Sequence, residues 1–170
     1  MSTTTTTLAP GLLPPTADFA WPTVDLDVAL LLTLSERTTR DGNQYRLGGK
    51  APSLDADSAT IGRIGIDCSG YVRWILHRAT GNRLVIPDGS WHQAEWAEAT
   101  GLKTSTILAG SATDGRVRLA YMKPLSQGGV GHIALIHNAR TIESSGKRGP
   151  GRRAWDGTGW QSRCRLWVLT

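Results

Sequence analysis

A chain of 170 residues, 39% of them hydrophobic and 19% charged, is long enough to bury one core, and no apolar run in it is long enough to span a membrane. The net charge of +5 and sequence pI near 9.7 favour an acidic partner such as a nucleic acid, an anionic membrane or an anionic wall. The absence of a basic region with heptads, of zinc-finger spacing and of an aromatic single-strand motif argues against specific nucleic-acid recognition. Two cysteines, Cys68 and Cys164, form neither a disulfide framework nor a Cys-x-x-Cys pair, and the ligand spacings do not suit structural zinc. Seven tryptophans against one phenylalanine fit a groove lined with flat amphipathic rings as well as they fit a core.

Residues 1–22, with five consecutive threonines, then Leu-Ala-Pro-Gly and Pro-Pro, read as a flexible arm, and 23–170 as a single domain. No charged residue precedes Asp18, so the positive start of a secretory signal is missing and the expectation is a soluble chain made in the cytoplasm. Val24, Val28, Leu31, Leu32 and Ser35 fall on helical spacing, which predicts a helix from Val24 to about Thr38 capped by Thr23 or Asp25. Arg40 to Gly65 reads as a long loop. It holds Asp41-Gly42-Asn43 and Tyr45-Arg46-Leu47-Gly48-Gly49, and its Gly-Gly-Lys lacks the earlier glycine that a phosphate loop needs.

Next comes Gly65-Ile66-Asp67-Cys68-Ser69-Gly70-Tyr71-Val72, followed by Val72, Ile75, Leu76 and Ala79 at helical spacing and Gly81 as a stop. Cys68 therefore falls at the first turn of an amphipathic helix. Unpaired N–H groups and the positive end of the helix dipole there favour the thiolate, the nucleophilic form. Asp67 and Ser69 flank it with short polar side chains, and Gly70 leaves room for a substrate. The competing reading of a lone cysteine, a small buried hydrophobe, is outweighed only by partners downstream.

Val85–Gly89 turns the chain, and Ser90 is expected to cap a helix from Trp91 to about Thr100, stopped by Gly101. His77 and His92 read as surface helix residues. Strands follow at Thr104–Leu108, Val117–Met122, His132–His137, Thr141–Ser145 and Arg163–Leu169, with Cys164 a buried strand residue and 147–161 a basic surface loop. Helices first and antiparallel strands after predict an α+β fold, the cysteine helix packed on an antiparallel sheet of about five strands.

In Gly131-His132-Ile133-Ala134-Leu135-Ile136-His137, period two puts His132, Ala134 and Ile136 on one face and His137 on the other, where its role is structural. A histidine at the mouth of a strand and a cysteine at a helix start are the layout of thiol catalysis. A two-residue turn at Asn138-Ala139 pairs Ala134 with Glu143 and sets Glu143 on the face of His132, whereas a three-residue turn brings Ile142 there. The even turn makes Glu143 the residue that orients the imidazole, with Asn138 the other candidate. An exposed strand carboxylate is the alternative reading of Glu143.

Tyr45-x-x-Gly48-Gly49, then Asp67-Cys68-Ser69-Gly70-Tyr71-Val72, then Gly131-His132-Ile133-Ala134-Leu135, resembles the NlpC-type papain-like cysteine peptidases over about Tyr45 to Ser145. These enzymes cut the peptide stems of bacterial cell wall. The resemblance implies a papain-like fold with Cys68 as nucleophile, His132 as base and Glu143, after a one-residue gap, in the place of the third polar residue. It implies Tyr45 near the oxyanion site, and Asp67 and Ser69 meeting the amino end of the stem. It also implies peptidoglycan as partner, a thioester intermediate at the γ-D-glutamyl to diamino-acid bond, and no metal or cofactor, while the chain's size makes a monomer the default expectation.

Ser144-Ser145-Gly146-Lys147 and the missing signal resemble phage-encoded wall hydrolases and contact-delivered amidase effectors. That likeness adds a delivery apparatus and an immunity protein as expected partners, with action on the wall after non-classical delivery. Acyl transfer, a protein-directed protease or deamidase, and a non-catalytic wall-binding module are the rival readings on the same fold.

Overall fold

The computed structural model describes residues 25–40, 44–126, 129–146 and 148–170. The expected arm, the cap Thr23, the helix start Val24 and the turn Asp41-Gly42-Asn43 lie outside them. Helix α1 spans Val28–Arg40, and Asp27, in place of the expected Asp25, is its first-turn acceptor, taking the Leu30 N–H at 2.9 Å. The cysteine helix, here α3, spans Cys68–Ala79 and buries ten of its residues. Inside the expected loop lies a further helix, α2, Ser58–Ile64, started by Asp57, whose side chain accepts from the Thr60 N–H. Helix α4 covers Ser90–Ala99, with Gly89 rather than Ser90 in the cap position and no side-chain cap bond.

The sheet has six strands where about five were expected, in the order β1-β6-β2-β3-β4-β5. They are β1 Thr104–Ser105, β2 Val117–Met122, β3 His132–His137, β4 Arg140–Ser145, β5 Gly149–Gly151 and β6 Cys164–Val168, and every pairing is antiparallel. β1 stops early because a 3-10 turn at Leu108–Ser111 takes over. β5 falls in the stretch read as a surface loop.

Alternation along β3 divides the interior in two. Ile133 and Leu135 join Tyr71, Trp74, Ile75, Ile66 and Trp167 in the main core between helices and sheet. Ile136 joins Ala120, Leu166, Cys164 and Trp155 in a second cluster. Each fully buried large side chain in the main core contributes about 1.5–3 kcal/mol. The expected basic loop is therefore partly a lid on the second face. Gln161 holds it in shape, accepting from Asp156 N–H at 2.8 Å and Gly157 N–H at 2.9 Å and donating to the Ala154 carbonyl at 2.9 Å.

Polar contacts fix α3 against its neighbours. Tyr71 Oη meets Thr38 Oγ1 of α1 at 2.8 Å, and Trp74 Nε1 donates to the Ala56 carbonyl at 2.9 Å. Ser144 Oγ of β4 donates to the Ile66 carbonyl at 2.6 Å, which ties the end of β4 to the segment just before Cys68. His77, expected at the surface, is only 7% exposed; its Nδ1 bonds the Leu84 carbonyl at 2.9 Å and its Nε2 lies 3.4 Å from Asp55. His92 is exposed, as expected. Among the described residues no helix is long and apolar enough to cross a membrane.

Candidate active site

Asp67 caps α3: its Oδ1 accepts from the Gly70 N–H at 2.7 Å and from the Ser69 hydroxyl at 3.0 Å. Cys68 follows at the first position of the helix and is nearly buried. Gly70 is required by packing rather than by room for a substrate. A β-carbon there would stand 2.8 Å from the Gly49 carbonyl oxygen and 3.1 Å from Lys50 Cδ. The Gly49 carbonyl also accepts the Asp67 N–H at 3.0 Å, so the Tyr45–Lys50 segment is pressed onto the start of α3.

β3 and β4 deliver the histidine and the carboxylate. The connecting turn has two residues, Asn138 and Ala139, both at positive φ (47° and 57°), and sets His137 opposite Arg140 and Leu135 opposite Ile142. His132 and Glu143 therefore share a face, and His132 Nε2 lies 2.5 Å from Glu143 Oε2. Asn138 is committed to the turn, accepting the Gly115 N–H at 2.9 Å. Glu143 is buried, its other oxygen accepting from the Thr141 hydroxyl at 2.8 Å with Arg153 Nη1 at 3.1 Å.

With Nε2 engaged, Nδ1 is left for the thiol. Burial works against protonating His132, but hydrogen bonds and charges from Cys68 and Glu143 outweigh it and push its pKa up to about 9. For Glu143, burial opposes ionisation, and His132, Thr141 and Arg153 prevail to hold its pKa below the usual carboxylate value. Trp160 stands edge-on to His132 at 5.0 Å between ring centroids. A pocket of about 240 Å³ between Met122, His132, Glu143, Ser145, Arg153 and Trp160 opens beside the pair.

The structure thus brings Cys68, His132 and Glu143 together. Tyr45 is close to them: burial first, then the charges of Cys68 and Asp67, push its phenol up to about 12, so it is an O–H donor at neutral pH. Asp67 and Ser69 also adjoin Cys68, but they are 6% and 3% exposed and their polar atoms are engaged within the protein. Sequence reasoning missed three participants. Lys50 reads in the sequence only as part of a failed phosphate loop, while Arg153 and Trp160 lie in the stretch read as surface loop.

Cys164 is free and buried in β6, and burial pushes its thiol up to about 12. His137 faces away from His132, and burial together with the Arg152 charge holds its pKa below the ordinary value. Among the described residues no group of His, Cys, Asp and Glu could hold a metal ion.

The model of the NlpC/P60 family matches residues 42–168, a span that takes in every residue of the site. The chain belongs to the NlpC/P60 family, and the four helices and antiparallel six-stranded sheet among its described residues are that family's papain-like α+β arrangement. Membership places it, in general terms, among cell-wall peptidases and amidases. No curated protein matches the chain.

Proposed function

We propose that this protein is a peptidoglycan hydrolase, a cysteine endopeptidase or amidase that cuts wall stem peptides with Cys68 as nucleophile, His132 as acid and base, and Glu143 as the residue orienting and charging the imidazole. The observation that carries this reading is the position of His132, hydrogen-bonded to Glu143 through Nε2 and close enough to Cys68 that the two together push its pKa up to about 9. In the reactive form of the pair, the proton that the thiol gives up resides on His132.

Sγ then attacks the scissile carbonyl carbon. The C–S bond forms as the carbonyl pair moves to oxygen, where the Cys68 N–H and the Tyr45 hydroxyl stabilise the negative charge. When the oxyanion collapses, the C–N bond breaks and the leaving nitrogen takes the proton from His132, leaving a thioester and a neutral imidazole. His132 next removes a proton from water as that oxygen attacks the thioester, and the thiolate leaves to restore the pair. The family resemblance supports the γ-D-glutamyl to diamino-acid link as the scissile bond.

Purified wall incubated with wild type and with Cys68→Ala, followed by mass analysis of the soluble fragments, tests the reading. New stem-peptide fragments from the wild type alone are expected, and their masses identify the bond. No fragments from the wild type, on wall that a control hydrolase digests, would overturn it.

A further inference from the structure

Beside Cys68 three polar side chains converge on one ammonium. Lys50 Nζ lies 2.6 Å from Asp67 Oδ2, 3.0 Å from Ser69 Oγ and 2.9 Å from Asp88 Oδ1. An ammonium has three protons to donate, and these acceptors use all of them. The remaining oxygen of Asp67 is already occupied by the Gly70 N–H and the Ser69 hydroxyl. Lys50 is not a swinging surface side chain. It follows Gly49, which is locked to Asp67 and Gly70, and its own stem lies over Gly70, with Cδ 3.1 Å from where a β-carbon would be. Burial works against its charge, but the bonds and charges of Asp67 and Asp88 hold its pKa above the ordinary lysine value.

The residues before and after the nucleophile, joined by Asp88 from the turn leading into α4, thus have the shape and charge of a receptor for a primary amine, filled from within. We infer that Lys50 is a specificity-determining residue: it occupies the place where Asp67, Ser69 and Asp88 would otherwise take the free amino end of a peptide, so the enzyme takes stem peptides whose amino end is tied up in an amide, as in wall still attached to its glycan. This rests on the hydrolase reading above. A second ammonium finds Asp67 Oδ1 filled by two donors and Oδ2 held by Lys50, whose charge repels it. Removal of Lys50 leaves two carboxylates and a hydroxyl uncompensated, which reverses the preference.

The test is kcat/KM for two synthetic stem peptides, identical except for a free or an acetylated amino end, with wild type and with Lys50→Met. The wild type is expected to treat the two within about threefold or to favour the acetylated peptide, and Lys50→Met to move the ratio toward the free amine by about tenfold or more. A purely structural lysine would lower both rates together and leave the ratio where it was. A wild type that prefers the free amine by about tenfold, or a ratio that Lys50→Met does not move, would overturn the inference.

A second measurement needs no turnover. Melting of Lys50→Ala is expected to rise by several degrees with n-butylammonium but not with tetramethylammonium, which has no N–H, while the wild type responds to neither. No rise specific to butylammonium in Lys50→Ala would overturn the assignment. A wild type that cuts neither peptide, together with that specific rise, would sink the hydrolase reading and leave Lys50 as the occupant of an amine receptor.

Discussion

An isolated imidazole gives up its proton near pH 6.5, whereas His132, set between a thiol and a buried carboxylate, keeps it to about pH 9. Because the folded value lies above the unfolded one, the stability it contributes is complete below pH 6.5 and is lost as pH rises through about 9. Glu143 is shifted down, so its contribution is present above its unfolded value of about 4.5 and is lost as pH falls through the lower folded value. Glu143→Gln is therefore expected to cost about 1–3 kcal/mol near pH 6 in urea melts, and its difference from wild type to shrink as pH passes 9. On a soluble peptide, kcat/KM of the same variant should fall by about 100-fold, and its alkaline limb should move to lower pH. An unmoved limb would show that Glu143 does not set the imidazole's charge. Cys68, His132 and Glu143 stood out in the sequence because each is announced locally, by helical spacing, by a glycine before a strand and by the parity of a turn. Lys50, Arg153 and Trp160 have no such signal, since only tertiary folding gives them their neighbours.

Elements were legible in proportion to their periodicity. α3, β2 and β3 are long and regular and lie where apolar spacing puts them. α2 has seven residues with Gly62 among them, and β5 is Gly-Pro-Gly, a composition with no strand signature that persists only because Glu143, Ser144 and Ser145 offer it a ladder. The β3–β4 turn places Ala139 at φ 57°, a conformation that costs an L side chain about 1 kcal/mol. Ala139→Gly is expected to stabilise the protein by about 0.5–1 kcal/mol in urea melts without changing kcat/KM. At the other contact of the site, Gly70→Ala forces a β-carbon to within 2.8 Å of the Gly49 carbonyl oxygen. Since backbone must shift to relieve it, a loss of about 1–3 kcal/mol is expected, accompanied by lower activity, because Cys68 shares that turn of helix.

At the scale of the whole molecule, four of the described tryptophans divide between core and site. Trp74 and Trp167 are fully buried in the main core. Trp155 seals the second face, donating from Nε1 to the Ile107 carbonyl at 3.1 Å. Trp160 packs on His132. Composition could not separate these roles, because an indole suits a core, a lid and a groove equally. The excess positive charge acts at longer range. Arg148 and Arg165 are exposed, and the net +5 is expected to draw the protein to a polyanionic wall through interactions that screen within about 10 Å at 0.1 M salt. Clearing of insoluble wall is expected to slow by about tenfold between low and high salt, while the rate on a neutral soluble peptide barely changes. Equal salt sensitivity on both substrates would rule out surface attraction as the cause.

The titration of the His132 imidazole, followed by NMR in the wild type, in Cys68→Ala and in Glu143→Gln, bears most directly on the thiolate–imidazolium pair at the centre of this mechanism. A midpoint at about 9 in the wild type, falling in each variant, is the expected result. A wild-type midpoint at or below 6.5, the value of an unperturbed imidazole, would contradict the charged imidazole on which this mechanism rests.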